Sequence, residues 1–175
     1  HTGVAELLIK HTHVDTPDSE QQTALHVAVI RGHQDTVQLL VESGANTNAR
    51  DSRDVTPLHF AAQLGYKAIV EMLFDHGAKV SRKNSTLNEA VCKGHKDIVE
   101  LLIQHGADVN AHDVKKGWTP LQDAVRCDRK DIAVLLLKHG AKVNVRVTGR
   151  GGASLHLASQ REYKDVAELL INHGA

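Results

Sequence analysis

Residues 93–111 read KGHKDIVELLIQHGADVNA, and this stretch decides the fold. Within it, Ile98, Val99 and Leu102 recur at the spacing of one helix face, and charged residues lie between them. A Gly-Ala pair follows at Gly106. Glycine readily adopts the left-handed backbone that commonly ends a helix. The stretch therefore predicts an amphipathic helix that stops at Gly106.

The same glycine signal recurs along the chain, with spacings of 33, 29, 34 and 34 residues between the Gly-Ala pairs that begin at Gly44, Gly77, Gly106, Gly140 and Gly174. A second signal runs in phase with it, as TALH at 23–26, TPLH at 56–59, STLN at 85–88, TPLQ at 119–122 and ASLH at 153–156. A Thr or Ser hydroxyl can cap the free amides of a helix start, and Pro fits the first helical position. Each unit therefore predicts a turn, a short helix, a tight loop, a second helix and a glycine stop.

The order TPLH-x-A, GH-x-x-(I/V)-V-x-x-LL and GADVNA resembles the ankyrin repeat over nearly the whole chain. The resemblance implies an all-α ankyrin-repeat solenoid with short β-hairpin tips, because each helix pair buries its apolar face only against its neighbours. We expect one partial and five full repeats. Their predicted ranges are 1–17 (second helix and linker), 18–50, 51–83, 84–112 (shortened), 113–146 and 147–175.

Several features depart from the regular repeat. The chain opens on a second-helix pattern and stops after another, so we expect a segment of a longer array that frays at its first unit. Asp128 and Glu162 stand in the inter-helix slot that Gly65 and Gly94 occupy elsewhere. We therefore expect those two loops to bend differently from the others.

Composition bounds the function classes. Among the 175 residues, Lys plus Arg and Asp plus Glu both number 21, which argues against nucleic-acid binding by bulk charge. No apolar run is long enough to predict membrane insertion. Cys92 and Cys127 form no CxxC pair, so we interpret them as small, partly buried thiols rather than redox or metal groups, in a reducing cytosol or nucleus.

Thirteen histidines invite a metal or acid–base interpretation, but ten of them fall in three recurring slots, each of which occurs once per unit. Neighbouring units stack about 10 Å apart, too far for such residues to converge on one ion. The resemblance implies that His26, His59 and His156, in the TPLH slot, bond between units. No nucleophile motif, HExxH or phosphate loop appears. We predict no catalytic, cofactor-binding or metal-binding residues.

Asn110 lies in the sequence GADVNA, before the next hairpin. The resemblance implies that this slot is a frequent target of asparaginyl hydroxylation. A turn residue that bonds to its own backbone explains the same asparagine without modification.

The resemblance places partner binding at the hairpin tips and on the concave face of the first helices. Cations gather in those slots and acids gather on the second helices, so a neutral chain is predicted to have one basic and one acidic face. A basic face attracts acidic partners, although solvated Lys and Arg also serve solubility alone. The predicted partner-binding residues are Trp118, Arg126, Arg146, Lys115, Lys116, Lys93, Lys83, Arg53, Arg31, Arg150 and Arg161.

Trp118, the single tryptophan, occupies a tip slot just before Thr119, and we expect it to be largely exposed. It is either an interface hot spot or a ring packed on neighbouring Lys and Arg stems. We expect a monomeric, non-catalytic recognition module that binds an acidic or phosphorylated protein segment. Two alternatives remain: a nucleotide or short nucleic acid stacked on Trp118 at the same face, and a purely architectural spacer.

Overall fold

A computed structural model describes residues 13–81, 86–113, 117–145 and 154–175. These ranges hold ten α-helices and no β-strand, which confirms the all-α repeat architecture. The chain forms two compact units, residues His1–Val80 and Ser81–Ala175. The predicted repeat boundaries after residues 83 and 146 lie outside the described ranges, and the division into repeats stays a prediction.

Unit 1 contains four helices: α1 (Ala24–Ile30), α2 (Gln34–Glu42), α3 (Pro57–Leu64) and α4 (Lys67–Asp75). The first helix of each repeat packs on its own second helix, and like helices pack on like: α1 on α3, and α2 on α4. Leu25, Leu58 and Leu73 are fully buried at these contacts. The apolar stripe predicted from the repeat is therefore the core of this unit.

Unit 2 contains six helices: α5 (Thr86–Lys93), α6 (Lys96–Gln104), α7 (Pro120–Arg126), α8 (Lys130–Lys138), α9 (Ser154–Gln160) and α10 (Lys164–Asn172). The first helices α5, α7 and α9 pack in one row, and the second helices α6, α8 and α10 in another. Leu102, Leu121 and Leu136 are fully buried in its core. We call α5, α7 and α9 the first-helix row.

The TPL signal starts helices as expected. Thr119 Oγ1 accepts a hydrogen bond from the Gln122 amide at 3.2 Å, and Gln122 Oε1 accepts one from the Thr119 amide at 2.9 Å. Pro120 is the first residue of α7. This reciprocal capping satisfies backbone donors that a helix start leaves free.

The inter-helix loops bend alike, so the expectation for Asp128 and Glu162 was wrong. Their φ angles of 54° and 58° lie in the same left-handed region as the 83° of Gly94. The next amide bonds five residues back in each case: His95 to Ala90 at 3.0 Å and Arg129 to Ala124 at 2.8 Å. The paired helices impose this bond, which overrides the preference of the loop side chain.

The hairpin tips are hydrogen-bonded turns, and no strand is assigned in the part of the chain that the structure describes. The Asp51 amide donates to Val55 O at 2.9 Å, and the Asp54 amide donates to Asp51 O at 2.9 Å. Adjacent tips are joined where the Ser52 amide donates to Glu20 O at 2.9 Å. The turns are too short for ladders of their own.

His26 confirms the implied bond between repeats. Its ring is fully buried. Nδ1 accepts from the Thr23 amide at 3.2 Å, and Nε2 lies 3.2 Å from Val55 O in the next repeat. His59 is half-buried and His156 is exposed, so burial of this slot is not uniform.

The asparagine slot also joins repeats. Asn110 Nδ2 donates to Gly140 O at 3.1 Å, and its Oδ1 accepts from the Lys142 amide at 2.8 Å. Asn48 makes the matching pair of bonds to Gly77 and Lys79 at 2.9 and 2.8 Å. Both ends of the Asn110 carboxamide therefore have structural partners, and its hydroxylation stays a prediction.

Candidate functional site

Among the described residues of each unit, an arginine lies over an aromatic ring and is bound by a buried aspartate. Cluster 1, in unit 1, consists of Asp51, Arg53 and Phe60; cluster 2, in unit 2, consists of Asp123, Arg126 and Trp118. The two guanidinium carbons lie 5.6 and 5.9 Å from the ring centroids, within the range of cation–π attraction. Each cluster therefore places a guanidinium cation against the face of an aromatic ring.

Cluster 2 is built around a fully buried carboxylate. Asp123 Oδ1 accepts from Arg126 Nη2 at 2.9 Å and from Nε at 3.2 Å. Its Oδ2 accepts from Asn88 Nδ2 at 2.8 Å, which brings in the preceding repeat. Asp123 and Arg126 are three residues apart on α7 and therefore share a helix face. The buried charge is thus both paired and hydrogen-bonded, the condition under which burial is tolerated.

Trp118 is half-buried rather than largely exposed, contrary to expectation. Its carbonyl oxygen accepts from the Asp113 amide at 2.9 Å and from Asn88 Nδ2 at 3.2 Å. Arg126 lies over the ring and accounts for part of the lost exposure. The structure thus agrees with packing on a neighbouring arginine, while part of the ring stays accessible.

Arg126 is a compensated cation. Burial is the largest single influence and opposes its charge, but the hydrogen bond to Asp123 and the electrostatic effects of Cys127, Cys92 and Asp123 together outweigh burial and raise the pKa of Arg126. Its Nη2 also donates to Cys92 Sγ at 3.1 Å. The Asp123–Arg126 pair is therefore neutral as a unit, so this arginine contributes shape and hydrogen bonding more than net positive charge.

Cluster 1 follows the same plan at a hairpin tip. Asp51 Oδ1 accepts from the Arg53 and Val55 amides at 2.9 and 2.8 Å, and Oδ2 accepts from Arg53 Nη2 at 3.0 Å. Phe60 packs edge-on against His26, with ring centroids 6.2 Å apart. Arg53 thus stabilises the hairpin turn, and its guanidinium is paired with Asp51 rather than free.

Three other predicted binding residues, Arg31, Lys93 and Arg161, are exposed. Within the described ranges, their side chains form no hydrogen bond or ion pair. Lys93 and Arg161 each lie seven residues after the first residue of α5 and α9, the position that Cys127 holds after the start of α7. Because α7 packs against both α5 and α9, these two cations flank Cys127 along one edge of the first-helix row.

The remaining predicted cations fall outside the described residues, and their placement stays a prediction. They are Lys83, Lys115, Lys116, Arg146 and Arg150.

Sequence reasoning missed Asn88, Phe60 and Asp123. Asn88 and Asp123 carried a signal, since Asn88 replaces the usual histidine of the TPLH slot. Asp123 places a carboxylate in the x position of TPLH-x-A, where Val27 and Phe60 stand in unit 1. Glu89 is the other acid in this slot, and an acid there predicts a nearby cation. Phe60 gave no comparable signal.

The predicted separation of charge is weaker than expected. The second helices carry lysines beside their acids, and these pair, as in Lys67–Glu71 at 3.8 Å and Lys130–Asp165 at 2.7 Å. On the side of the loops, Asp128 and Glu162 are exposed next to predicted cations. The electrostatic potential near the first-helix row therefore depends on individual charged groups rather than on a continuous basic face.

Within the described ranges, no group of three or more His, Cys, Asp or Glu side chains is arranged to hold a metal ion. The helices there all fall short of the length and apolar character that a membrane span requires.

Comparisons with known proteins agree with this architecture. A family model described as "Ankyrin repeats (3 copies)" matches residues 1–84 and 81–147, and one described as "Ankyrin repeat" matches 151–175. The chain therefore belongs to the ankyrin repeat family. Repeats of this family are generally protein–protein interaction modules. Comparison with curated proteins gives no match.

Three solved structures illustrate the similarity. The human ASB11 ankyrin repeat domain is 29% identical, with 99% of this chain and 79% of that chain covered and a TM-score of 0.85. The ankyrin repeat domain of Bcl-3, described as a unique member of the IkappaB protein family, is 31% identical at the same coverages, with a TM-score of 0.86. An ankyrin repeat domain from Acinetobacter baumannii AYE is 31% identical, with 99% and 92% covered and a TM-score of 0.89.

Proposed function

We propose that the chain is a non-catalytic interaction module that binds an acidic or phosphorylated segment of a partner protein. The contact surface consists of the first-helix row of unit 2 and the hairpin tip that carries Trp118. The observation that carries the proposal is the Arg126–Trp118 pair, which buried Asp123 holds in place. Tryptophan and arginine are the residue types most enriched at interface hot spots, and a preformed pair loses little entropy on binding.

Net positive charge for the ligand comes from residues beside this pair. Because Asp123 neutralises Arg126, the attracting charges are Lys93 and Arg161, one repeat to either side. Exposed lysine and arginine can donate charge-assisted hydrogen bonds to carboxylate or phosphate oxygens. The other predicted cations remain in the proposal on the strength of the sequence alone.

The class of ligand is tested with the fluorescence of Trp118, which reports on the site because it is the single tryptophan of the chain. The ligands are a glutamate-rich peptide, a phosphoserine peptide, their glutamine and serine counterparts, and a single-stranded oligonucleotide of matched charge. The proposal expects saturable changes with the two anionic peptides and none with the neutral counterparts.

The other outcomes separate the alternatives. Saturation by the oligonucleotide with silent peptides would replace the proposal with nucleic-acid binding through base stacking. Equal binding of anionic and neutral peptides would contradict the acidic specificity. No response to any ligand, confirmed by calorimetry, would favour the architectural spacer.

A further inference from the structure

The two first helices of unit 1 carry apolar side chains on their exposed side. Val27 on α1 and Leu64 on α3 are 44% and 41% exposed, which is unusual for large apolar residues in the described ranges. Phe60 on α3 is partly exposed. Single exposed apolar residues are common on protein surfaces, whereas a contiguous group indicates a place where another molecule binds. We call Val27, Phe60 and Leu64 the apolar patch.

The repeat places these three residues on one face. Val27 and Phe60 each directly follow the His of the TPLH signal, on helices that pack side by side, so the two positions are about 10 Å apart. Leu64 follows Phe60 by four residues and lies about 6 Å further along the same face of α3. The matching position on α1 holds Arg31, which is exposed. The face therefore has three apolar corners and one cationic corner.

Phe60 makes the patch continuous between the two helices. Its ring centroid lies 6.2 Å from that of His26 on α1, the residue next to Val27, and 6.3 Å from that of His59. The Arg53 guanidinium carbon lies 5.6 Å from the ring centroid on the side of the hairpin tip. The ring is thus fixed by its neighbours before any ligand arrives, and a fixed side chain loses little entropy on binding.

The cationic corner gives the patch a preference for one sign of charge. No ion pair joins Arg31 to an acid in the described ranges, and the side chain is exposed. Arg53, in contrast, is paired with Asp51 at 3.0 Å. A ligand that covers the patch therefore meets one unpaired charge, which is positive. Arginine can bind a carboxylate through two parallel hydrogen bonds.

The matching positions of α5 and α7 in unit 2 have a different character. Glu89 and Asp123 stand where Val27 and Phe60 stand in unit 1, and they are followed one turn later by Lys93 and Cys127. The apolar surface on the first helices is thus a property of unit 1. An inference drawn from it does not depend on the ligand proposed for unit 2.

We propose that the apolar patch binds a partner protein through one apolar side chain of leucine size that has a carboxylate two or three residues away. The apolar side chain covers Phe60 and contacts Val27 and Leu64. The carboxylate binds Arg31, at the fourth corner. The spacing follows from the distance of about 10 Å between the Arg31 and Leu64 positions, because an extended chain advances about 3.3 Å per residue.

The test is a titration of the full chain, labelled at its Val, Leu and Ile methyl groups, followed by NMR. The probe is a twelve-residue Gly/Ser peptide with one leucine and a glutamate two residues later. Its counterparts carry serine for the leucine or glutamine for the glutamate. We expect saturable shifts of the Val27 and Leu64 methyls, and none at Ile171, which is exposed on α10 and serves as the internal control. The serine peptide should be silent, and the glutamine peptide should bind about 2- to 5-fold more weakly.

Three variants separate the contributions to binding, and each must keep the methyl spectrum of a folded chain. Leu64→Ser should weaken binding of the probe peptide at least about fivefold, because an apolar contact is lost. Arg31→Gln should weaken binding of the glutamate peptide about 2- to 5-fold and leave the glutamine peptide unchanged. Ile171→Ser is the matched control and should bind like the native chain.

Four results would overturn the proposal. These are no shift at Val27 and Leu64 up to the solubility limit of the peptide, equal shifts at Ile171, equal binding of the serine peptide, and native affinity of Leu64→Ser. Shifts of the patch methyls that depend on chain concentration without peptide would assign the surface to a second copy of the chain, and would overturn it as well.

Discussion

Asp123 is a fully buried carboxylate whose charge is held by Arg126 and Asn88. A buried ion pair adds little stability compared with apolar side chains of similar volume. Removal of one partner is costly, however, because it leaves the other charge buried and unpaired. The residue therefore explains why Arg126 lies where it does. It also limits how this site can be probed by mutation.

Arg126→Ala should lower the free energy of unfolding by about 2–3 kcal/mol, since it leaves the Asp123 charge uncompensated. The double variant Asp123→Asn, Arg126→Gln should lose only about 1 kcal/mol, because both charges disappear together. Urea unfolding measures both, with exposed Arg161→Ala as a control expected within about 0.5 kcal/mol of the native chain. Equal losses in the single and double variants would contradict the coupling.

Asp51 should make stability depend on acid pH. Burial opposes ionisation, but the Val55 amide and the Arg53 guanidinium outweigh it and lower the pKa of Asp51. A lowered folded-state pKa gives stability that is present above the unfolded value of about 4 and is lost as pH falls through the folded pKa. The stability gap between native chain and Asp51→Asn should therefore shrink from pH 6 toward pH 2.

The same urea series on Asp75→Asn, an exposed acid at the end of α4, is the control for the substitution itself. A gap for Asp51→Asn that stays constant or widens on acidification would contradict the proposed ion pair and turn.

Predictions made from the position of a residue in the repeat were correct where that residue bonds to a partner that the repeat itself supplies. Thr119 and His26 were placed correctly because their partners are fixed by the repeat. The burial of Trp118 could not be predicted, since it depends on where Arg126 points, and that depends on Asp123.

At the scale of elements, helix pairing decides the loops. Gly94 has a φ of +83°, and a Cβ there would meet Arg129 Cζ at 2.8 Å. Gly106 has nearly the same φ, +85°, but open space around it. Asp128 takes the left-handed conformation without being glycine. Substitutions at these three positions therefore distinguish the strain of a left-handed backbone from the effect of a neighbouring side chain.

Gly94→Ala and Gly106→Ala should each destabilise the chain by about 1–2 kcal/mol through the left-handed backbone, and Gly94→Ala should cost slightly more, because the Arg129 guanidinium must shift away from its bonds to the Cys92 and Lys93 carbonyls. Asp128→Gly should stabilise by up to about 1 kcal/mol, since it relieves a left-handed L residue. Thermal and urea unfolding measure all three. A destabilising Asp128→Gly, or a Gly106→Ala or Gly94→Ala with no loss of stability, would count against this account of the loops.

Element types were predictable because the glycine and TPL signals recur at one period, and ten helices follow that phase in the described residues. The bend of the Asp128 and Glu162 loops was mispredicted from side-chain preference alone. In physical terms, the same backbone hydrogen bond closes each described inter-helix loop, and its stabilisation exceeds the strain of a left-handed Asp or Glu.

At the scale of the whole molecule, a repeat array has no single active centre, and function depends on which surface slots depart from the repeat. The chain has no net formal charge, and its second helices carry both signs, so bulk electrostatics does not choose the partner. The choice rests on a local group: an anchored Arg126–Trp118 pair with Lys93 and Arg161 beside it.

The most direct test is the affinity of the glutamate-rich peptide for three forms of the chain, measured by Trp118 fluorescence. They are the native chain, Lys93→Gln with Arg161→Gln, and a control that carries Lys138→Gln on α8. Each lost surface pair is worth about 0.2–1 kcal/mol, so the double variant should bind about 2- to 30-fold more weakly. The control should bind like the native chain. Equal affinity of all three forms, or a loss as large in the control, would contradict binding at the first-helix row.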